Sequence, residues 1–156
     1  MVLAAQDNRV DDGTSLAGEI YEWAGSYRSV DMSKDGFAWP PAFRVRENMA
    51  RFEEEILSKR TPCRPGQWER ISEDLAVVHS EILLIHPFRE GNGRLARWVA
   101  DLMALRAGGP VMDNGFEGKG SRARRHFYLE GVKKGYERDY ADLRRFFLDS
   151  LTRGAS

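Results

Sequence analysis

Apolar residues fall at Trp68, Ile71, Leu75, Val78, Ile82 and Ile85, in steps of three and four that put them on one side of an α-helix. Val77, Leu83 and Leu84 widen this stripe, so the helix needs partners on several sides and belongs at the centre of the fold. Pro87 stops it. A chain built round one buried helix must supply other amphipathic helices to cover it. Val45, Met49, Phe52 and Ile56 step by four, three and four over about 42–59. After a loop at 61–66, the central helix and its proline, another helix opens near Asn92 and carries Leu95, Val99 and Leu102 until Ala107-Gly108-Gly109-Pro110 ends it. Two more are expected at about 121–137 and 139–151. A short one runs from Leu16, capped by Thr14 or Ser15, with Leu16, Ile20 and Trp23 on one face and Ala24-Gly25 at its end.

Residues 28–39 have a different period. Val30 and Met32, then Phe37 and Trp39, alternate with polar or small residues on either side of Asp35-Gly36, which predicts a β-hairpin closed by Pro40-Pro41. The fold class is therefore mainly α, a helical bundle of about six helices with one small β-hairpin. Residues 1–13 are polar, end in Asp11-Asp12-Gly13, and read as a flexible N-terminal arm.

Composition removes several function classes. At 156 residues the chain is one domain and needs no disulfide or structural metal to fold. Basic and acidic side chains balance at 24 each, so broad phosphate contact with nucleic acid is not expected. No apolar run is long enough to span a membrane, and the N-terminus lacks the pattern of a secretory signal. The single cysteine, Cys63, fits a reducing compartment, so a cytoplasmic protein is expected.

The chemistry concentrates in His86-Pro-Phe-Arg-Glu-Gly-Asn-Gly-Arg-Leu-Ala-Arg97. Gly91, Asn92 and Gly93 open a helix, so unpaired backbone N–H groups and the positive helix end converge there, which suits phosphate. Arg94 and Arg97 lie one turn apart and can reach the same polyphosphate. Glu90 beside an anion site would repel phosphate unless a divalent cation, Mg²⁺, bridges them. His86, at the end of the central helix, can act as general base toward a hydroxyl. Each feature has a structural reading: a helix-end histidine, a C-cap turn, two solvated arginines. A plain interhelical turn has no need of all of them together.

This segment resembles the Fic motif, His-Pro-Phe-x-Asp/Glu-Gly-Asn-Gly-Arg-x-x-Arg. Ile20-Tyr21-Glu22-Trp23-Ala24-Gly25, Arg28-Ser29-Val30 and Ser33-Lys34 are similar to the family's first core helix and flap, so the likeness covers about 14–150. It implies a Fic domain over 14–151 and a protein adenylyltransferase, in which a target hydroxyl attacks the α-phosphate of ATP and pyrophosphate leaves. In that reading His86 takes the hydroxyl proton, Glu90 holds Mg²⁺, Gly91, Asn92 and Gly93 cradle phosphates, and Arg94 and Arg97 bind the β/γ end. The flap, through Val30, Asp31, Met32, Ser33 and Phe37, would pair with a strand of a target protein carrying a Ser, Thr or Tyr hydroxyl. Alternatives are transfer of GMP or UMP by the same site, or an inactive nucleotide-binding or protein-interaction module.

The family is commonly restrained by a helix carrying Ser/Thr-x-x-x-Glu-Gly/Asn, whose glutamate pairs with the motif's second arginine, here Arg97. Only Ser15 has a glutamate four residues on, Glu19, and Ile20 follows it where Gly or Asn is required. The expectation is a separate small inhibitory protein, as in a toxin–antitoxin pair, unless a longer chain carries that helix in cis. Among other candidates, His79 reads as a core or supporting residue. His126 with Arg122, Arg124 and Arg125 reads as a solvated face. Trp23, Trp39, Trp68 and Trp98 read as packing, and Tyr128 as lining an adenine pocket.

Overall fold

In the computed structural model, which describes residues 25–156, Asp35 and Gly36 both take positive φ, 50° and 82°, as a two-residue hairpin turn requires. β1 (Ser33–Lys34) pairs antiparallel with β2 (Phe37–Ala38), Ser33 opposite Ala38 and Lys34 opposite Phe37. The Trp39 N–H donates to the Met32 carbonyl at 3.1 Å and extends the pairing by one residue. Pairing stops there because the Val30 carbonyl accepts from the Arg28 side chain and Asp31 Oδ1 accepts from the Ala42 N–H. The expected arm at 1–13 and the short helix from Leu16, with Ser15, Glu19 and Trp23, lie outside the described residues.

The first described helix, α1, spans 42–60 and is not uniform. A 3₁₀ turn (Ala42–Arg44) leads into α-helix (Val45–Phe52), a π-turn (Glu53–Leu57) and a last α turn (Ser58–Arg60). Val45, Met49 and Phe52 are buried as their spacing predicts. The π-turn inserts one residue, so Leu57 rather than Ile56 continues the buried face. Ile56 is turned to the edge of a cavity of about 640 Å³ between α1 and the central helix.

α2 (Trp68–Ile85) is that central helix: α1, α3 (Asn92–Arg106), α4 (Ser121–Gly135) and α5 (Ala141–Gly154) all pack on it. Leu75, Val78 and Ile82 meet Leu143, Phe146, Phe147 and Leu151 of α5 in one continuous core. α3 presents Ala96, Ala100 and Ala104, so it can lie close to α2 and fix the two ends of the 86–91 turn. Trp98 departs from its packing role: it is 66% exposed on the outer face of α3. No helix among the described residues is long and apolar enough to cross a membrane.

α4 approaches α2 so closely at Gly135 that an added Cβ would sit 2.3 Å from Ser80 Oγ and 3.1 Å from Ser80 Cβ. Gly135→Ala must therefore push two packed helices apart, and is expected to cost about 1–3 kcal/mol. Gly66→Ala, whose added Cβ would meet nothing nearer than a carbonyl at 3.9 Å, serves as the control. Denaturant unfolding of both variants tests this, and equal stabilities would refute it.

Candidate active site

α2 ends by leaving the helical region at one residue. His86 takes φ 52° and ψ 59°, a left-handed conformation uncommon outside glycine but one that histidine adopts more readily than most, and its N–H still donates to the Ile82 carbonyl at 3.0 Å. The ring turns back so that Nδ1 meets the Leu83 carbonyl at 3.2 Å. A carbonyl only accepts, so Nδ1 carries the proton in the neutral ring and Nε2 keeps a free lone pair. Trp39 lies over the imidazole with ring centroids 4.0 Å apart, and its Nε1 donates to Leu83 O at 2.9 Å. Burial pushes the His86 pKa below its ordinary 6.5; the Leu83 bond opposes this and the Arg28 charge adds to it. His86 is thus set as a neutral acceptor at physiological pH.

Five residues on, Gly91 takes φ 84° and caps α3, its carbonyl accepting from the Leu95 N–H at 2.9 Å. The buried Asn92 side chain closes the turn: Oδ1 accepts from Phe88 N–H at 2.9 Å and Nδ2 donates to Phe88 O at 2.7 Å. A carboxamide here imitates a peptide, which leaves the first N–H groups of α3 for a ligand. An added Cβ on Gly93 would come within 3.5 Å of Arg97 Nη1, so glycine keeps the space beneath that guanidinium open. Glu90 and Arg94 are exposed, and Gly91, Gly93 and Arg97 half-buried. Neither arginine forms an ion pair among the described residues.

The model of the Fic/DOC family matches residues 12–104, which hold this whole turn. The chain belongs to the Fic/DOC family. It is 31% identical over 93 residues to Protein adenylyltransferase VbhT of Bartonella schoenbuchensis, covering 60% of this chain and 19% of that protein. It is 31% identical over 123 residues to Protein adenylyltransferase Fic of Nematostella vectensis, covering 79% of this chain and 26% of that one. It therefore spans roughly a fifth to a quarter of these relatives' length. Among solved structures, BepC of Bartonella tribocorum with bound AMPPNP superposes with a TM-score of 0.65 at 21% identity, covering 83% of this chain and 66% of that one. The N-terminal Fic domain of a putative cell filamentation protein of Bartonella quintana with bound ADP gives 0.66 at 19%, covering 83% and 64%. At those identities the likeness shows the Fic fold.

The residues expected to act together are together along the Fic turn, with His86 on one side and Gly91, Asn92, Gly93, Arg94 and Arg97 on the other. The flap is more divided. Val30 and Ser33 are exposed and Met32 half-buried, while Asp31 bonds the Ala42 N–H at 2.7 Å and Phe37 stacks on Tyr136 with centroids 4.5 Å apart. Tyr128 is buried, and its hydroxyl meets His79 Nε2 at 2.8 Å, so its polar end is held inside the core. Arg122, Arg125 and His126 are exposed as expected of a solvated face, and only Arg124 departs from it, half-buried. Arg124 pairs with Asp149 and lies over the Phe146 ring, and Arg125 donates to Phe116 O at 2.6 Å. Sequence reasoning missed the bonds of Arg28 and Trp39 to the end of α2. An arginine and an indole inside an alternating segment give no spacing that points to a distant helix end.

His79 is a core residue, as expected. It is 1% exposed, bonded to Tyr128, and its pKa is lowered to about 4, first by burial and then by the Arg97 charge, against the Ala96 backbone. Above pH 6.5 both folded and unfolded chains hold it neutral. Between 6.5 and about 4 the unfolded chain binds a proton that the folded chain refuses, so stability falls with pH by up to about 3 kcal/mol. Urea unfolding at pH 7 and pH 4.5 should show this loss in the wild type and a smaller one in His79→Gln. Identical losses in the two proteins would refute it.

Proposed function

We propose that this chain is a protein adenylyltransferase, its residues 14–151 forming the transferase domain. The observation that carries the reading is His86, with Nδ1 tied to Leu83 O and the lone pair on Nε2, beside a helix N-terminus bearing two arginines without carboxylate partners among the described residues. The relatives' names, protein adenylyltransferase in Bartonella schoenbuchensis and in Nematostella vectensis, support the same activity. A target hydroxyl oxygen bonds to the α-phosphorus of ATP, the bond to the bridging oxygen breaks, and pyrophosphate departs. His86 Nε2 takes the hydroxyl proton. The N–H groups of Gly91, Asn92 and Gly93 and the guanidinium groups of Arg94 and Arg97 orient the phosphates and offset their charge. The flap edge at Val30, Met32 and Ser33 would hold a target strand by backbone pairing, with Asp31 and Phe37 fixing the flap itself.

Among the described residues no cluster of three or more metal-ligating side chains exists. Glu90 alone, exposed beside the phosphate turn, fits a Mg²⁺ ion that arrives with the nucleotide and takes its other ligands from phosphate and water. The ion would supply charge neutralisation between Glu90 and the triphosphate. The groups of the turn suit phosphates and do not select a base, so transfer of GMP or UMP is the second reading, and an inactive nucleotide-binding or protein-interaction module the third. All three are separated by incubating the chain in lysate with α-labelled ATP, GTP, UTP and CTP. ATP is expected to label protein, excess EDTA to abolish labelling, and Glu90→Ala to weaken it. His86→Ala should cut labelling by roughly 10²–10⁴-fold with ATP affinity nearly unchanged. A His86→Ala protein retaining more than about a tenth of the labelling defeats the assignment.

We further infer a cytoplasmic enzyme of the toxin type, restrained by a small antitoxin protein. The support is Arg97, which has no carboxylate partner among the described residues and which an inhibitory glutamate would engage in competition with the γ-phosphate. Expression in the native host should slow growth for the wild type and not for His86→Ala. Equal growth of the two strains, with no small protein co-purifying, counts against it.

A further inference from the structure

One buried arginine joins the flap to the end of α2 and takes no part in the transfer chemistry itself. Arg28 is 4% exposed. Its Nε donates to His86 O at 2.7 Å and one Nη to Val30 O at 2.9 Å. The other Nη reaches Pro40 O at 2.5 Å and Ile85 O at 3.4 Å. Its backbone N–H takes Pro87 O at 2.9 Å. No carboxylate lies within ion-pair distance of it among the described residues. A full charge is therefore held out of water by carbonyl dipoles, which is tolerable only while each donor has its acceptor. Two acceptors belong to the flap and two to the turn that carries His86. Only a planar fork spans both sets; an ammonium group is a single point. Trp39 repeats the tie from β2, through Leu83 O and through its ring on the imidazole.

We propose that Arg28 is a positioning residue: it clamps the flap to the His86 turn, so that the strand edge holding the target and the base that deprotonates it keep one fixed separation. This rests on the transferase reading. The groups proposed to bind phosphate lie on α3 and its cap, beyond Pro87 to Glu90, and Arg28 bonds none of them. Cutting it should let the flap move relative to His86 while ATP still binds. An ångström of misplacement between reacting groups costs about 100-fold in rate.

The experiment compares Arg28→Lys and Arg28→Gln with the wild-type full chain, and adds Trp39→Phe, which removes the indole N–H donor to Leu83 O and keeps a ring. Three quantities are read: kcat and the ATP KM for labelling, affinity for a fluorescent ATP analogue, and hydrogen exchange at the Trp39 amide of the hairpin. In both Arg28 variants kcat should fall by about 30–100-fold, with ATP KM and affinity within about threefold. The Trp39 amide should exchange at least about tenfold faster. Trp39→Phe should show a smaller change of the same kind. A folded Arg28→Lys protein with wild-type kcat, or ATP affinity falling in step with kcat, overturns the proposal. If neither Arg28 variant unfolds cooperatively, an unchanged kcat in Trp39→Phe overturns it. Exchange and nucleotide binding need no target, so a wild type that labels nothing refutes the transferase reading, whereas unchanged exchange in folded Arg28 variants refutes the clamp.

Discussion

A helix that stops inside a protein leaves its last carbonyls without helical donors, and at the end of α2 that deficit is met from the hairpin segment and from His86 itself. Leu83 O receives Trp39 Nε1 and His86 Nδ1, Ile85 O and His86 O receive Arg28, and Pro87 O receives the Arg28 N–H. The demand of the backbone thus fixes three things together: the left-handed stop at His86, the tautomer of its ring, and the place of the flap. A base whose proton sits on Nδ1 is a by-product of that accounting. Were Leu83 O satisfied by a further helical turn, Nδ1 would have no reason to hold the proton and Nε2 no reason to be free.

The two kinds of arginine at this site follow opposite rules. Arg28 is buried and saturated by carbonyls, so it has nothing left to offer a ligand. Arg94 is exposed and Arg97 half-buried, and neither has a carboxylate partner among the described residues. Arg97 rests instead near the Phe116 ring, 6.0 Å from its centroid, and against the Tyr128 hydroxyl, which meets His79. These neutral neighbours steer the guanidinium without cancelling its charge. An ion pair in their place would have to be broken before phosphate could bind.

What the sequence made legible is what repeats. The steps of three and four located α1 to α5, and Asp35-Gly36 located the hairpin turn to the residue. The motif at 86–97 gave the order of the site along the chain. The parts that stayed hidden depend on single long-range contacts. A π-turn shifts the buried face of α1 from Ile56 to Leu57, and no periodicity records one inserted residue. Trp98 carries the composition of a core residue and lies outside, while Tyr128 looks like a ligand contact and is a partner of His79. Arg28 stands 58 residues from the carbonyl it meets most closely on α2, so only tertiary structure can join them.

His86 and the proposed phosphate cradle sit at the ends of different helices, α2 and α3, and the chain between them is only Pro87 to Gly91. So short a connection sets their offset only if it cannot flex. Asn92 stiffens it by holding both backbone groups of Phe88, and Tyr27 packs on the Phe88 ring at 5.8 Å between centroids. The alanine face of α3 then brings the two helices close enough for that connection to close. This is why histidine, phenylalanine, glycines, asparagine and arginines occur as one run rather than scattered through the chain. In the transferase reading the polar members would face the nucleotide, while Phe88 and Asn92 hold the two helix ends at the spacing that one phosphorus atom, attacked from one side and charge-neutralised from the other, would demand.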